Sequence, residues 1–159
     1  MKVKMVTFPE TRVASVTHLG PPEQEHVTAR KLIDWKIQNR LLDQSKYRSY
    51  GLHYSNPRAV EPLKHRVDFC LSIDRAVDHN DAGIVEKIIP NLKCAVARDV
   101  GSRANNRAAR YLIEEWLPKS GEVMCDFPLI FHYVNVGLDV KEHEAITDVY
   151  LPLKWVHNV

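Results

Sequence analysis

Two short phrases set the reading of this chain: "LHYSN" at residues 52–56 and "FHYVN" at residues 131–135. Self-similarity spaced by most of a half-chain is the mark of a duplicated unit. Working outward, "RVASVTHLG" (12–20) lies over "KCAVARDVG" (93–101), with Ala14 on Ala95 and Gly20 on Gly101 at an offset of 81. The same offset places Leu32 on Ile113 and Trp35 on Trp116. His53, Tyr54 and Asn56 fall on His132, Tyr133 and Asn135 at 79, and Asp68 and Leu71 fall on Asp148 and Leu151 at 80. Ordered matches with small drifts are what loop insertions leave behind. The expected organisation is one domain over 1–159, with a first repeat at about 6–74, a polar linker at about 75–86 and a second repeat at about 87–154.

Each copy carries the same local signals. A β-branched apolar run, Val13 to Leu19 or Cys94 to Val100, reads as a strand closed by glycine. "GPPEQEH" then suits a helix first turn, and Ala29, Ile33, Ile37 and Leu41 recur at a helical spacing that predicts a buried face. In the second copy Ser102 is a candidate cap, and Ala104, Ala108, Leu112 and Trp116 form the apolar stripe. Strands follow at 50–55 with 66–73, and at 128–134 with 146–153. The fold class is therefore α+β: two pseudo-symmetric strand–helix–strand–strand units forming antiparallel sheets, with helices on one face. A three-strand, one-helix unit cannot cover both sheet faces, so pairing the units is expected to build one core and leave a groove between them.

Composition narrows the class. The chain is 45% hydrophobic and 26% charged with a formal net charge of +2, ordinary for a soluble globular protein and too small a charge to announce direct nucleic-acid binding. No apolar run approaches the roughly 20 residues of a membrane span, and the N-terminus has no signal-peptide core. Three scattered cysteines, Cys70, Cys94 and Cys125, make neither a disulfide framework nor a zinc knuckle, and a cytoplasmic location is expected. The eight histidines show no metal-ligand spacing. No metal or cofactor is expected.

The order "THLGPPEQ", "YGLHYSNP", "RVDFCLSI", "AVARDVG", "EEWLPKSG", "FHYVNVG" and "TDVYLPLK" resembles the GyrI-like domain. That family includes effector-binding domains of AraC- and MerR-type transcription regulators and standalone gyrase-inhibitory proteins. The resemblance implies the two-unit fold and a ligand groove between the units, lined by aromatic side chains. In many members the groove takes bulky, often cationic, hydrophobic molecules around a central glutamate, in a motif aromatic–Glu–x–Tyr–x–Asn. Matching Tyr133 and Asn135 to that motif puts Phe131 at the glutamate position, which leaves the charge preference of the ligand open.

Strand alternation sorts the candidate ligand-binding residues. Leu129, Phe131, Tyr133 and Asn135 share one face, expected to line the groove, and the repeat adds Leu52 and Tyr54. His53 and His132 are expected on the opposite face, as satisfied core histidines. Val67, Phe69, Leu71 and Ile73 look helix-facing, so Asp68, with Asp148 and Tyr150 in the second copy, point the other way. Either carboxylate is a candidate counter-charge or a structural partner. Trp116 is a candidate ligand contact, weighed against simple helix packing. The run Arg103, Arg107, Arg110 reads as a solvated face or a site for an acidic partner. The resemblance and the expected groove imply binding of a hydrophobic small molecule, and no catalytic set is legible. The alternatives are gyrase inhibition through a protein contact and hydrolysis on the same fold. The span leaves no room for a helix-turn-helix, so any regulation is expected to need a separate DNA-binding partner.

Overall fold

The computed structural model describes residues 1–55 and 60–155. Asn56 of the first repeated phrase lies outside them. Eight strands are formed: β1 (Val3–Phe8), β2 (Thr11–Leu19), β3 (Ser49–His53), β4 (Arg66–Ser72), β5 (Val85–Ile89), β6 (Leu92–Val100), β7 (Leu129–Tyr133) and β8 (Ile146–Leu153). Helix α1 spans Glu25–Gln38; its counterpart runs as α2 (Arg107–Arg110), a π-helical stretch Tyr111–Trp116, and α3 (Leu117–Ser120).

The chain divides into two compact units, Met1–Glu10 with Pro90–Val159, and Thr11–Ile89. Both repeats supply the expected strand–helix–strand–strand elements, and each unit gains a strand that the sequence did not announce. β1 runs directly into β2 yet pairs antiparallel with β6, Val3 opposite Ala97 and Phe8 opposite Leu92. β5 runs directly into β6 yet pairs antiparallel with β2, Thr11 opposite Ile89. Each unit thus borrows its outer strand from the segment that precedes the other. Val85 and Glu86 of β5 fall inside the stretch expected to be linker. That five-residue strand, "VEKII", is too short and too polar for alternation to reveal.

In the Thr11–Ile89 unit, Ala14, Val16 and Leu71 from the sheet, with Ile73 just past β4, pack against Leu32 and Trp35 from α1, and Leu41 and Tyr47 close the cluster. This corrects the expected helix face. Ile33 and Ile37 are 44% and 53% exposed, whereas Leu32 and Trp35 are buried. Four-residue spacing identifies a stripe, but only tertiary contact decides which stripe meets the sheet. Leu41 is buried from beyond the helix, one residue after Arg40 turns the chain at positive φ. The other unit keeps its expected anchors: Ala108 and Leu112 pack on Ala95, Ala97, Val149, Leu151 and Leu153. Ala104 lies in an exposed 3-10 turn before the helix.

The repeated phrase holds a register surprise. His53 pairs with Val67, and Tyr133 pairs with Thr147, so the structural equivalence along β3 and β7 runs 80 residues apart. The letters match at 79. A one-residue slip moves every side chain to the other face. His53 therefore lies on the α1 side, on the row of Val67 and His18, whose ring meets Thr28 of α1. His132 instead pairs with Asp148, away from the helix. The expectation that both histidines share the far face is corrected for His53.

Leu32→Ala is expected to destabilise by roughly 2–5 kcal/mol, while Ile37→Ala stays within about 0.5 kcal/mol. Urea denaturation of the two variants checks the assignment; equal losses would contradict burial of the Leu32–Trp35 face.

Candidate functional site

On the helix side of the unit holding β7, Leu129 and Phe131 pack against the Ala108–Leu112–Val149 cluster together with Trp116 and Leu117. Phe131 sits opposite Val149, and Tyr133 is the next residue on that face. Phe131, Tyr133 and Trp116 are all half-buried, neither sealed in the core nor open to water. Large aromatic faces in that condition are suited to stacking on a flat apolar partner. The guanidinium of Arg103 lies 5.3 Å from the Tyr133 ring centroid. It donates to Asn135 O, Ile146 O and Thr147 Oγ1, pinning the ends of β7 and β8. Burial lowers its pKa from the usual arginine value. Asn135, expected beside these aromatics, works in the hairpin: its Oδ1 accepts from Ile146 N at 2.8 Å and its Nδ2 donates to Glu144 O.

The remaining candidates lie elsewhere. Asp148 takes a two-pronged bond from Arg98, at 2.8 and 3.0 Å, on the face away from the helix. Tyr150, on the same face, meets Phe8 edge-on with ring centroids 5.2 Å apart. In the other unit Asp68 is fully buried and receives Thr17 Oγ1 at 2.7 Å, Lys87 Nζ at 2.7 Å and Arg66 Nη2 at 3.2 Å. Burial alone would raise its pKa; the bonds from Lys87, Thr17 and Arg66 outweigh it and hold the carboxyl below its usual range. Its acceptor sites are used by these donors, which is the partner a buried carboxylate requires. Tyr54 joins this side, with Arg66 stacked 4.0 Å over its ring, and does not share the face of its own strand neighbour His53. The sequence-derived set therefore splits: Phe131 and Trp116 pack on one cluster with Tyr133 next along the same strand face, and Tyr54, Asp68, Asp148 and Tyr150 point away from the helices.

A polar cluster at the start of α1 was not legible in the sequence, because His18, Glu25, Ser55 and His65 follow no spacing rule. His65, fully buried, joins Glu25 Oε2 at 2.8 Å through Nε2 and Ser55 Oγ at 3.1 Å through Nδ1. His18 must carry its proton on Nε2, because that atom meets the carbonyl of Pro21; Nδ1 then accepts from Thr28. The Ser–His–Glu chain has the order of a charge relay. Its hydroxyl, however, already accepts the Arg66 N–H at 2.9 Å, the same hairpin bond that Asn135 Oδ1 makes to Ile146 in the other unit. The cluster latches a hairpin to a helix start. Among the described residues, no group of three His, Cys, Asp or Glu side chains is placed to hold a metal ion.

The profile of the GyrI-like small molecule binding domain matches residues 1–154. The chain belongs to this family. A relative named "Probable transcriptional regulator YgiV" from Escherichia coli (strain K12) is 31% identical over 154 residues, covering 96% of both chains. A "DNA gyrase inhibitor" of Erwinia billingiae (strain Eb661) is 29% identical over 160 residues, covering 96% of this chain and 97% of that one. Among solved structures, the EcmrR C-terminal domain superposes with a TM-score of 0.77 at 17% identity, covering 98% of each chain. SAV2435 bound to tetraphenylphosphonium has a TM-score of 0.54 at 12% identity, covering 98% of this chain and 95% of that one. These likenesses establish the α+β GyrI-like fold. No helix among the described residues is long and apolar enough to cross a membrane.

Titration separates the polar groups of this GyrI-like domain. Burial, and then the charge of His65, push His53 from 6.5 down to about 4. A histidine with a depressed folded-state pKa adds stability that is present above its unfolded value and lost as pH falls through the folded one. The loss is therefore expected between pH 6.5 and about 4. Asp68, also depressed, gives way lower, beneath the ordinary carboxylate range. Melting temperatures across that interval should fall for the wild type and stay flatter for His53→Gln. Parallel curves would sink the assignment.

Proposed function

We propose that this GyrI-like domain binds a hydrophobic, aromatic small molecule on the helix side of the β7 unit, against Phe131, Tyr133 and Trp116. The observation that carries the reading is that half-buried Phe131 and Trp116 pack on one cluster, with half-buried Tyr133 next along the same strand face and no carboxylate at position 131. Support comes from the family description, and from a structural neighbour holding tetraphenylphosphonium, a cation wrapped in phenyl rings. The family match runs through both units, which favours reading residues 1–159 as one binding domain. Its role is sensing or sequestering such a compound in the cytoplasm, with any transcriptional output through a separate DNA-binding partner, in keeping with the regulator name of its relative. Turnover is not part of this reading; among the described residues the Ser55–His65–Glu25 chain braces a hairpin.

Stacking on aromatic faces rewards area more than charge. Triphenylphosphine oxide, neutral, and tetraphenylphosphonium, cationic, should both raise the melting temperature. Phe131→Glu is expected to favour the cation over the neutral probe by at least about tenfold, a difference of about 1.4 kcal/mol. Calorimetric titration reads the ratio. Silence of the wild type toward both probes and a broader aromatic library removes the proposal.

A second reading follows from the relative named a gyrase inhibitor. In it the domain acts through a protein surface and inhibits supercoiling without any ligand. A supercoiling assay with purified gyrase decides it: no inhibition at stoichiometric excess excludes this role.

A further inference from the structure

The two helices hold their core anchors differently. In α1, Leu32 and Trp35 are three residues apart; in the counterpart, Leu112 and Trp116 are four apart. An α-helix advances about 100° per residue, so Trp35 lies about 60° behind Leu32 around the axis. In an unbroken α-helix Trp116 would lie about 40° ahead of Leu112. The second helix is not unbroken. Between Tyr111 and Trp116 it is π-helical, and Leu117 N–H donates to the carbonyl of Leu112, five residues back. A wider turn advances each residue by less, which rotates Trp116 back toward the direction Trp35 takes. Turns of this kind are rare and recur at functional positions.

Pro118 supplies the cause. It has no N–H to give the carbonyl of Glu114, and its ring collides with that carbonyl in α geometry. Helix α1 contains no proline and is regular throughout. The outcomes differ accordingly. Trp35 closes its core at 9% exposure, whereas Trp116 remains half-buried and packs on the cluster that also holds Leu129 and Phe131.

We propose that the Pro118-imposed π turn sets Trp116 beside Phe131 as the specificity-determining wall of the binding face, shaped for a flat aromatic ring of the ligand. This rests on the binding face proposed above. The turn is a local departure from good helix geometry, and the direction it gives Trp116, on the cluster where Phe131 also packs, is what the departure accomplishes. A ligand ring between or against such walls is held by stacking and selected by its flatness.

Pro118→Ala returns an N–H to the Glu114 carbonyl and removes the collision, so the helix is expected to rewind as α. In a Trp35→Phe, Trp155→Phe background, the emission of Trp116 should shift. The melting temperature should hold or rise, and the dissociation constant for triphenylphosphine oxide should increase at least tenfold. Trp116→Leu, which keeps the apolar packing, should lose at least as much affinity with the fold intact by circular dichroism. Unchanged emission in Pro118→Ala, wild-type affinity in it, or wild-type affinity in Trp116→Leu each overturns the proposal. If Phe131→Ala and Trp116→Leu abolish binding while Pro118→Ala does not, the binding face stands and the π turn's role falls. If the wild type binds no aromatic probe, both fall together.

Discussion

The pairing of β7 with β8 is the constraint on which the rest of the candidate site depends. With Phe131 opposite Val149 and Tyr133 opposite Thr147, two aromatics face the helix and His132 faces away. Because a strand has a period of two, there is no intermediate arrangement: a slip of one residue would bury the histidine against the helix and expel both rings. Arg103 and Asn135 fix that register at the loop end of the hairpin, by bonding the residues where β7 stops and β8 starts. Polar groups at the rim thus decide which apolar groups reach the middle.

The two units solve the same problem with different chemistry. Where β3 meets the start of α1, the hairpin is held by Ser55, His65 and Glu25, with His18 bonded to Thr28 nearby. At the equivalent place in the other unit an arginine does the bracing. Divergence of this kind leaves the backbone pattern intact, since either set supplies the acceptor that the first residue of the last strand requires.

Much of this is legible in the sequence. The duplication, the α+β class and six of the strands follow from the spacing of glycines, apolar runs and the repeated aspartates. The grouping of Phe131 with Tyr133 follows from alternation alone. The failures have physical causes. The stripe Ala29–Ile33–Ile37 is as good a helical face as Leu32–Trp35, and only the sheet beneath α1 chooses between them. The phrase "HY" in both copies invites an alignment at 79, whereas hydrogen bonds impose 80. β1 and β5 escape notice because their partners are remote in sequence, and the histidine cluster because contact in three dimensions has no spacing to read.

The exchanged outer strands carry a consequence for how the chain is made. β1 leaves the ribosome first, yet its partner β6 lies some ninety residues later. At synthesis rates of about 5–20 residues per second, β1 waits on the order of five to twenty seconds with its backbone unpaired. β5, by contrast, finds β2 already emerged and completes its unit at once. One half is therefore assembled in order as the chain appears. The other is finished only by returning to its own beginning, which makes it the half most exposed to holding factors and to mispairing while it waits.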